Sequence, residues 1–169
     1  MDRRIASDHT DDEGMPAMIT MGLRAAPKLV TFAILDSDAN EILNVEDIQI
    51  PAAFEWPVAL KYVRSSVLDV LREYDVARAG VRTSEPVAKS LSVERIQIEG
   101  VIQEAFASSS LQGYFAGPIA VGAAMLRVDR ATFKPMTKEG RNDMDVDGWD
   151  ELTEVRREAV LYAMGAANA

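Results

Sequence analysis

From Ala17 onward, apolar and polar residues repeat with two different periods, and the changes between them mark out the elements. Ala17 to Leu23 is a short apolar run. Leu29 to Leu35 is rich in β-formers (Val30, Thr31, Phe32, Ile34), and a turn containing Pro27 separates the two runs. DSDAN, residues 36 to 40, has turn composition. Glu41 to Ile50 alternates, with Ile42, Val45, Ile48 and Ile50 set among polar residues and one slip in register. These three segments predict an antiparallel meander. After Pro51 the period changes. Pro57 suits a first helical turn, and Leu60, Val63, Val67, Val70, Leu71 and Tyr74 recur at helical spacing. Asp75 to Thr83 reads as a fourth strand and EPVAKSLS as a loop. Val93 to about Ser108 reads as a helix capped by Ser92, with Glu94 at its positive end. Gly113 to Ala116 fits a short fifth strand, and Pro118 opens a helix to Leu126. Ala131 to Lys134 reads as extended, and KPMTKEGRNDMDVDG as a polar loop. A last helix is predicted from Trp149 to about Gly165. Gly100, inside the second helix, predicts close packing against a neighbour, since glycine there costs about 1 kcal/mol of helix propensity.

Residues 1 to 16 are polar, of mixed charge and without periodicity. They read as a flexible tail ahead of one domain at 17–169. The only histidine, His9, lies in that tail, which leaves serine–histidine chemistry without a base in the domain. There is no cysteine, so thiolate nucleophiles, zinc–thiolate sites and disulfides are excluded. No apolar run approaches the ~20 residues that cross a bilayer, and a cytoplasmic placement is expected. The net charge of −9 argues against long-range attraction to nucleic acid and for a protein partner or a homo-oligomer.

The element order resembles the ribonuclease H-like fold, and within it the RuvC-type resolvases. The stretches that carry the resemblance are MGLRAAPKLVTFAILDSD, ARAGVRTS, YFAGPIAV and REAVLYAMGA. The resemblance spans residues 17 to 166 and implies an α/β fold, a mixed sheet of about five strands flanked by helices. It also implies where nuclease chemistry would sit. Such enzymes hold two divalent cations between acids of the first strand, the fourth strand and the last helix. The residues matching the first two places are Arg24 and Arg82; Glu158, with Glu154 a turn earlier, matches the third. Arginine repels a cation and cannot ligate it. The chain is also similar to an uncharacterised bacterial family on this fold that has degenerate acids. The leading expectation is therefore a non-catalytic domain acting as a binding or assembly subunit, with no cofactor. The alternative is an active RuvC-like nuclease dependent on a divalent metal such as magnesium, whose acids include Glu158, Glu154, Glu85 and Asp36. Arg24 and Arg82, with Lys134, form a candidate anion site; otherwise both arginines are surface residues paired with the surplus acids.

DMDVDGWDELTE, residues 143 to 154, matches the spacing of an EF-hand loop. Asp143, Asp145, Asp147 and Glu154 fall at ligand places, and Gly148 at the sharp turn. Asp150 stands where an apolar residue is usual, and KPMTKEGRN does not read as the preceding helix. The competing reading is an acidic loop whose Asp147 caps the last helix. A calcium-binding module is thus a third expectation.

Overall fold

The structure is a computed structural model, and it describes residues 14–169. The predicted tail, with His9, lies almost wholly outside the described residues. Five strands form one sheet: β1 (Ile19–Ala26), β2 (Leu29–Asp36), β3 (Glu41–Gln49), β4 (Arg78–Arg82) and β5 (Gly113–Gly117). Their order is β3-β2-β1-β4-β5. β1, β2 and β3 form the antiparallel meander, while β4 runs parallel to β1 and to β5. The slip read in the third strand is a bulge. Leu35 pairs with Ile42 while Ile34 pairs with Asn44, so Leu43 is left over and exposed.

Five helices cover the sheet: α1 (Trp56–Glu73), α2 (Val93–Ala107), α3 (Ile119–Leu126), α4 (Arg130–Thr137) and α5 (Glu154–Ala166). Strand alternation divides the molecule into two cores. Met21, Leu23, Ala25, Phe32 and Val81 face α1 and α2, where Val63, Val67, Ile98 and Ile102 meet them. The buried stripe of α1 runs Ala59, Val63, Val67, Leu71, one residue per turn. On the other face, Ala33 and Leu35 meet α5, which is itself covered by α3 and α4 through Ile119, Ala123, Phe133 and Met136. Glu158 to Ala163 of α5 is buried without interruption. That helix lies close on the sheet because β1 has no side chain at Gly22. A Cβ there would stand 1.9 Å from the Ala159 carbonyl oxygen and 2.3 Å from the Ala163 nitrogen.

Three expectations are corrected. Residues 131–134 are helical, not extended. Asp129 caps α4 by accepting from the Ala131 amide at 2.9 Å, and burial of Phe133, Met136 and Thr137 holds the helix despite Pro135. The last helix starts at Glu154, capped by Thr153 rather than Asp147; Trp149–Glu151 is a single 3₁₀ turn entered through Gly148 at φ 76°. Gly100 faces open space, with nothing within 4 Å of where a Cβ would stand.

Candidate functional site

β1 and β4 are parallel neighbours in register, and Arg24 pairs directly with Arg82. Each stands near the C-terminal end of its strand. Each also has the parity of Gly22 and Gly80, so both side chains lie on the α5 side, opposite the Met21, Leu23 and Val81 face. Glu158, in the second turn of α5, closes on them. Arg24 Nε donates to Glu158 Oε2 at 2.5 Å, and Arg82 Nε stands 3.5 Å from the same oxygen. Arg82 is 6% exposed and Glu158 5%, so these are buried charges rather than surface pairs. The guanidinium tips also hold the ends of their own strands. Arg24 Nη1 donates to the Ala25 carbonyl at 2.6 Å, and Arg82 Nη1 to the Thr83 carbonyl.

Two more carboxylates border this cluster. Glu85 Oε1 lies 3.5 Å from Arg82 Nη2 and accepts from the Ile119 amide at 2.9 Å, meeting the positive end of α3. Glu99 of α2 is buried; it accepts from Arg95 Nε at 2.7 Å, the Ser84 amide at 3.1 Å and the Ser84 hydroxyl at 2.9 Å. It thereby pins the 83–92 loop to α2. Burial, and then the like charge of Arg24, hold the Arg95 guanidinium below its ordinary range, with Glu99 opposing them. Sequence reasoning assigned this pair no role. The signal lay in the spacing: Glu99 precedes Ile102 by three and Phe106 by seven, inside the apolar stripe.

The other sequence candidates are dispersed. Asp36 ends β2 at the opposite end of the strands from Arg24, because β2 runs against β1. Five residues of strand, about 17 Å, separate it from Thr31, the partner of Arg24. Its Oδ1 instead accepts from the Asp38 and Ala39 amides of the turn. Glu154 is exposed in the first turn of α5. Lys134 does not join the arginines. It lines a separate cavity of about 640 Å3 with Glu85, Ile119, Asp129 and Arg130.

In the 143–154 loop, Asp143 pairs with Arg141, Nη2 to Oδ2, at 2.5 Å. Asn142 organises the turn, its side chain bonding both the amide and the carbonyl of Val146 at 2.9 Å. Arg157 ties the loop to α4 through the Trp149, Asp150 and Thr137 carbonyls. A helix, α4, does precede this loop, contrary to the sequence reading. Even so, among the described residues no group of three or more histidine, aspartate or glutamate side chains is placed to hold a metal ion.

A search of solved structures returns resolvases. The chain superposes on Thermus thermophilus RuvC in complex with a Holliday junction substrate with a TM-score of 0.66, at 14% identity over 89% of this chain and 93% of that one. A second Thermus thermophilus RuvC structure gives 0.65 at 13% identity, covering 89% and 94%. The yeast mitochondrial Holliday junction resolvase Ydc2 gives 0.60 at 10% identity, covering 91% and 82%. The chain has the ribonuclease H-like fold of RuvC-type resolvases. No protein-family model matches the sequence, and no curated protein matches it. Among the described residues, no helix is long and apolar enough to cross a membrane.

The fold implies a pair of divalent cations beside Glu158. The residues present do not fit them. Two guanidinium groups converge on Glu158, the carboxylate at the last-helix ligand place, and Arg24 lies against its Oε2 at 2.5 Å. A cation there would meet like charge, and Glu158 would have to give up its partners.

Proposed function

We propose that this chain is a non-catalytic ribonuclease H-like domain that works as a binding or assembly subunit in the cytoplasm. The observation that carries the reading is the Arg24–Glu158–Arg82 contact, which puts two positive charges where metal chemistry needs negative ones. The partner is a protein or a second copy of the chain. Support comes from the net charge of −9, unsuited to a phosphate backbone. It also comes from exposed apolar side chains at the start of α1 (Phe54, Val58) and of α2 (Val93, Ile96). Trp56 Nε1 donates to Gln97 Oε1 at 2.5 Å and brings those two helix ends together.

The test is calorimetric titration with magnesium, manganese and calcium, beside a cleavage assay on a synthetic four-way DNA junction. The reading expects neither binding nor cleavage. Manganese binding that is lost in Glu158→Ala, together with junction cleavage, overturns it in favour of an active nuclease. Calcium binding lost in Asp145→Ala replaces it with the calcium-module reading.

A further inference from the structure

The ends of β1 and β4, the 83–92 loop and the start of α2 enclose a cavity of about 390 Å3, within the ~300–1,000 Å3 typical of small-ligand pockets. Pro27, Ala88 and Leu91 supply its apolar wall. Arg82, Arg95, Ser84, Ser90 and Ser92 supply most of its polar wall, and Glu85 borders it. Nη2 of Arg95 is buried without a hydrogen-bond partner, and Nε of Arg82, a residue 6% exposed, makes no hydrogen bond beyond its ionic contact with Glu158 Oε2 at 3.5 Å. Buried donors left open are costly, and native structures rarely keep them without a reason. The neighbouring carboxylates are already taken. Glu99 serves Arg95 Nε and both donors of Ser84, while Glu85 serves the Ile119 amide and Arg82. The cavity also meets the N-terminus of α2, a helix of 15 residues, where Ser92 Oγ satisfies only the Arg95 amide. The first amides of that helix add positive field to the two guanidinium groups.

We propose that this cavity binds a small phosphate monoester. Its head group would be held by Arg82, Arg95 and the start of α2, and its body would lie against Pro27, Ala88 and Leu91. The Arg95 guanidinium, turned toward the cavity it lines, supplies paired donors that suit a phosphate's several oxygens, while Arg82 keeps its contact with Glu158. Glu158, Glu85 and Glu99 already balance the three arginines, so the preference for phosphate over a carboxylate rests on its larger set of acceptor oxygens. This goes beyond the non-catalytic reading and stands whether or not Arg24 and Arg82 exclude metal, so its test is run without divalent cations.

The experiment is calorimetry and thermal shift on the full chain with inorganic phosphate, adenosine monophosphate and, as a monoanionic control, acetate. Both phosphates should bind and raise the melting temperature, the monophosphate more tightly, and acetate should do neither. Inorganic phosphate binding as tightly as the monophosphate would overturn the role of the apolar wall. Arg95→Gln should weaken binding about tenfold or more. Because that variant also disturbs Glu99, Ser90→Trp provides the second arm. Position 90 is exposed in the loop, so the indole fills the cavity without touching either core, and binding should be lost from a protein of unchanged melting temperature. Glu85→Gln removes the bordering negative charge and should tighten binding. The proposal fails if millimolar phosphate and monophosphate leave the melting temperature unmoved, if Ser90→Trp binds like wild type, or if acetate matches phosphate.

Discussion

Replacing Glu158 by glutamine isolates the contact on which the functional reading rests. The substitution keeps the shape of the side chain and removes its charge. Two guanidinium groups, one 2.5 Å and one 3.5 Å from Glu158 Oε2, then face each other with no shared anion. Breaking a buried ion pair by removing one partner costs about 3–5 kcal/mol. The Arg24 side chain retains 17% exposure, and Arg82 keeps Glu85, so the low end applies. The expected loss is about 3 kcal/mol, a large share of the ~5–15 kcal/mol that holds a domain together. Urea unfolding followed by tryptophan fluorescence reads this directly, since Trp149 is buried in the core beside α5. Adding Arg24→Gln to Glu158→Gln should recover part of the loss, because the double variant leaves one fewer unpaired charge. The cost should persist at high salt, unlike that of the exposed Arg64–Glu104 pair. A loss below about 0.5 kcal/mol, the size of an exposed pair, would show that these charges are solvated, and the argument that they exclude a cation would collapse.

Two glycines should respond in opposite directions. Gly22→Ala drives a Cβ into the backbone of α5 and should cost about 3 kcal/mol or more, or prevent folding altogether. Gly100→Ala fills open space on an exposed helix face and should add about 1 kcal/mol; a destabilisation in urea would mean that the face is covered. Tyr162→Phe leaves the Gly117 and Pro118 carbonyls, each 2.8 Å from the hydroxyl, without their donor and should cost about 1–2 kcal/mol. Burial pushes the Tyr162 phenol up, well above its ordinary value near 10. Above about pH 10 the unfolded chain releases this proton while the folded chain keeps it, so stability should fall as pH rises. That slope should be shallower in Tyr162→Phe when unfolding is followed from pH 9 to 11. In the acidic loop, Asn142→Ala should lower the melting temperature by removing both bonds to Val146, and calcium should not restore it. Restoration by calcium would show that the Asp143–Asp147 turn is a cation site after all.

Much of the fold was legible because its elements declare themselves locally. Alternation from Glu41 to Ile50 marked β3, and the run of Val30, Thr31, Phe32 and Ile34 marked β2. The repeat of Val63, Val67 and Leu71 defined α1, and Ser92 marked the start of α2. The errors fell where local chemistry and packing disagree. Ala131 to Lys134 read as extended, but burial of Phe133 and Met136 against α5 holds a helix there and outweighs the amide lost at Pro135. Trp149 and Leu152 have helical spacing with Val155. The left-handed backbone at Gly148 and the burial of Trp149 instead turn the chain once before Thr153 starts the helix.

The sequence by itself determined which residues each element offers and which face of its own strand or helix each one shares. Those are properties of neighbours one to four positions apart, governed by backbone geometry and side-chain chemistry. Only the tertiary structure decided what meets what. The direction of β2 carried Asp36 to the far end of the strands, the parallel register of β1 and β4 set Arg24 beside Arg82, and the close approach of α5 over Gly22 set Glu158 between them. Glu99, to which its own helix assigned no role, became the buried anchor of the 83–92 loop because α2 lies across the end of β4. Convergence of charges from distant segments depends on strand direction, register and the closeness of packing, none of which a local period encodes.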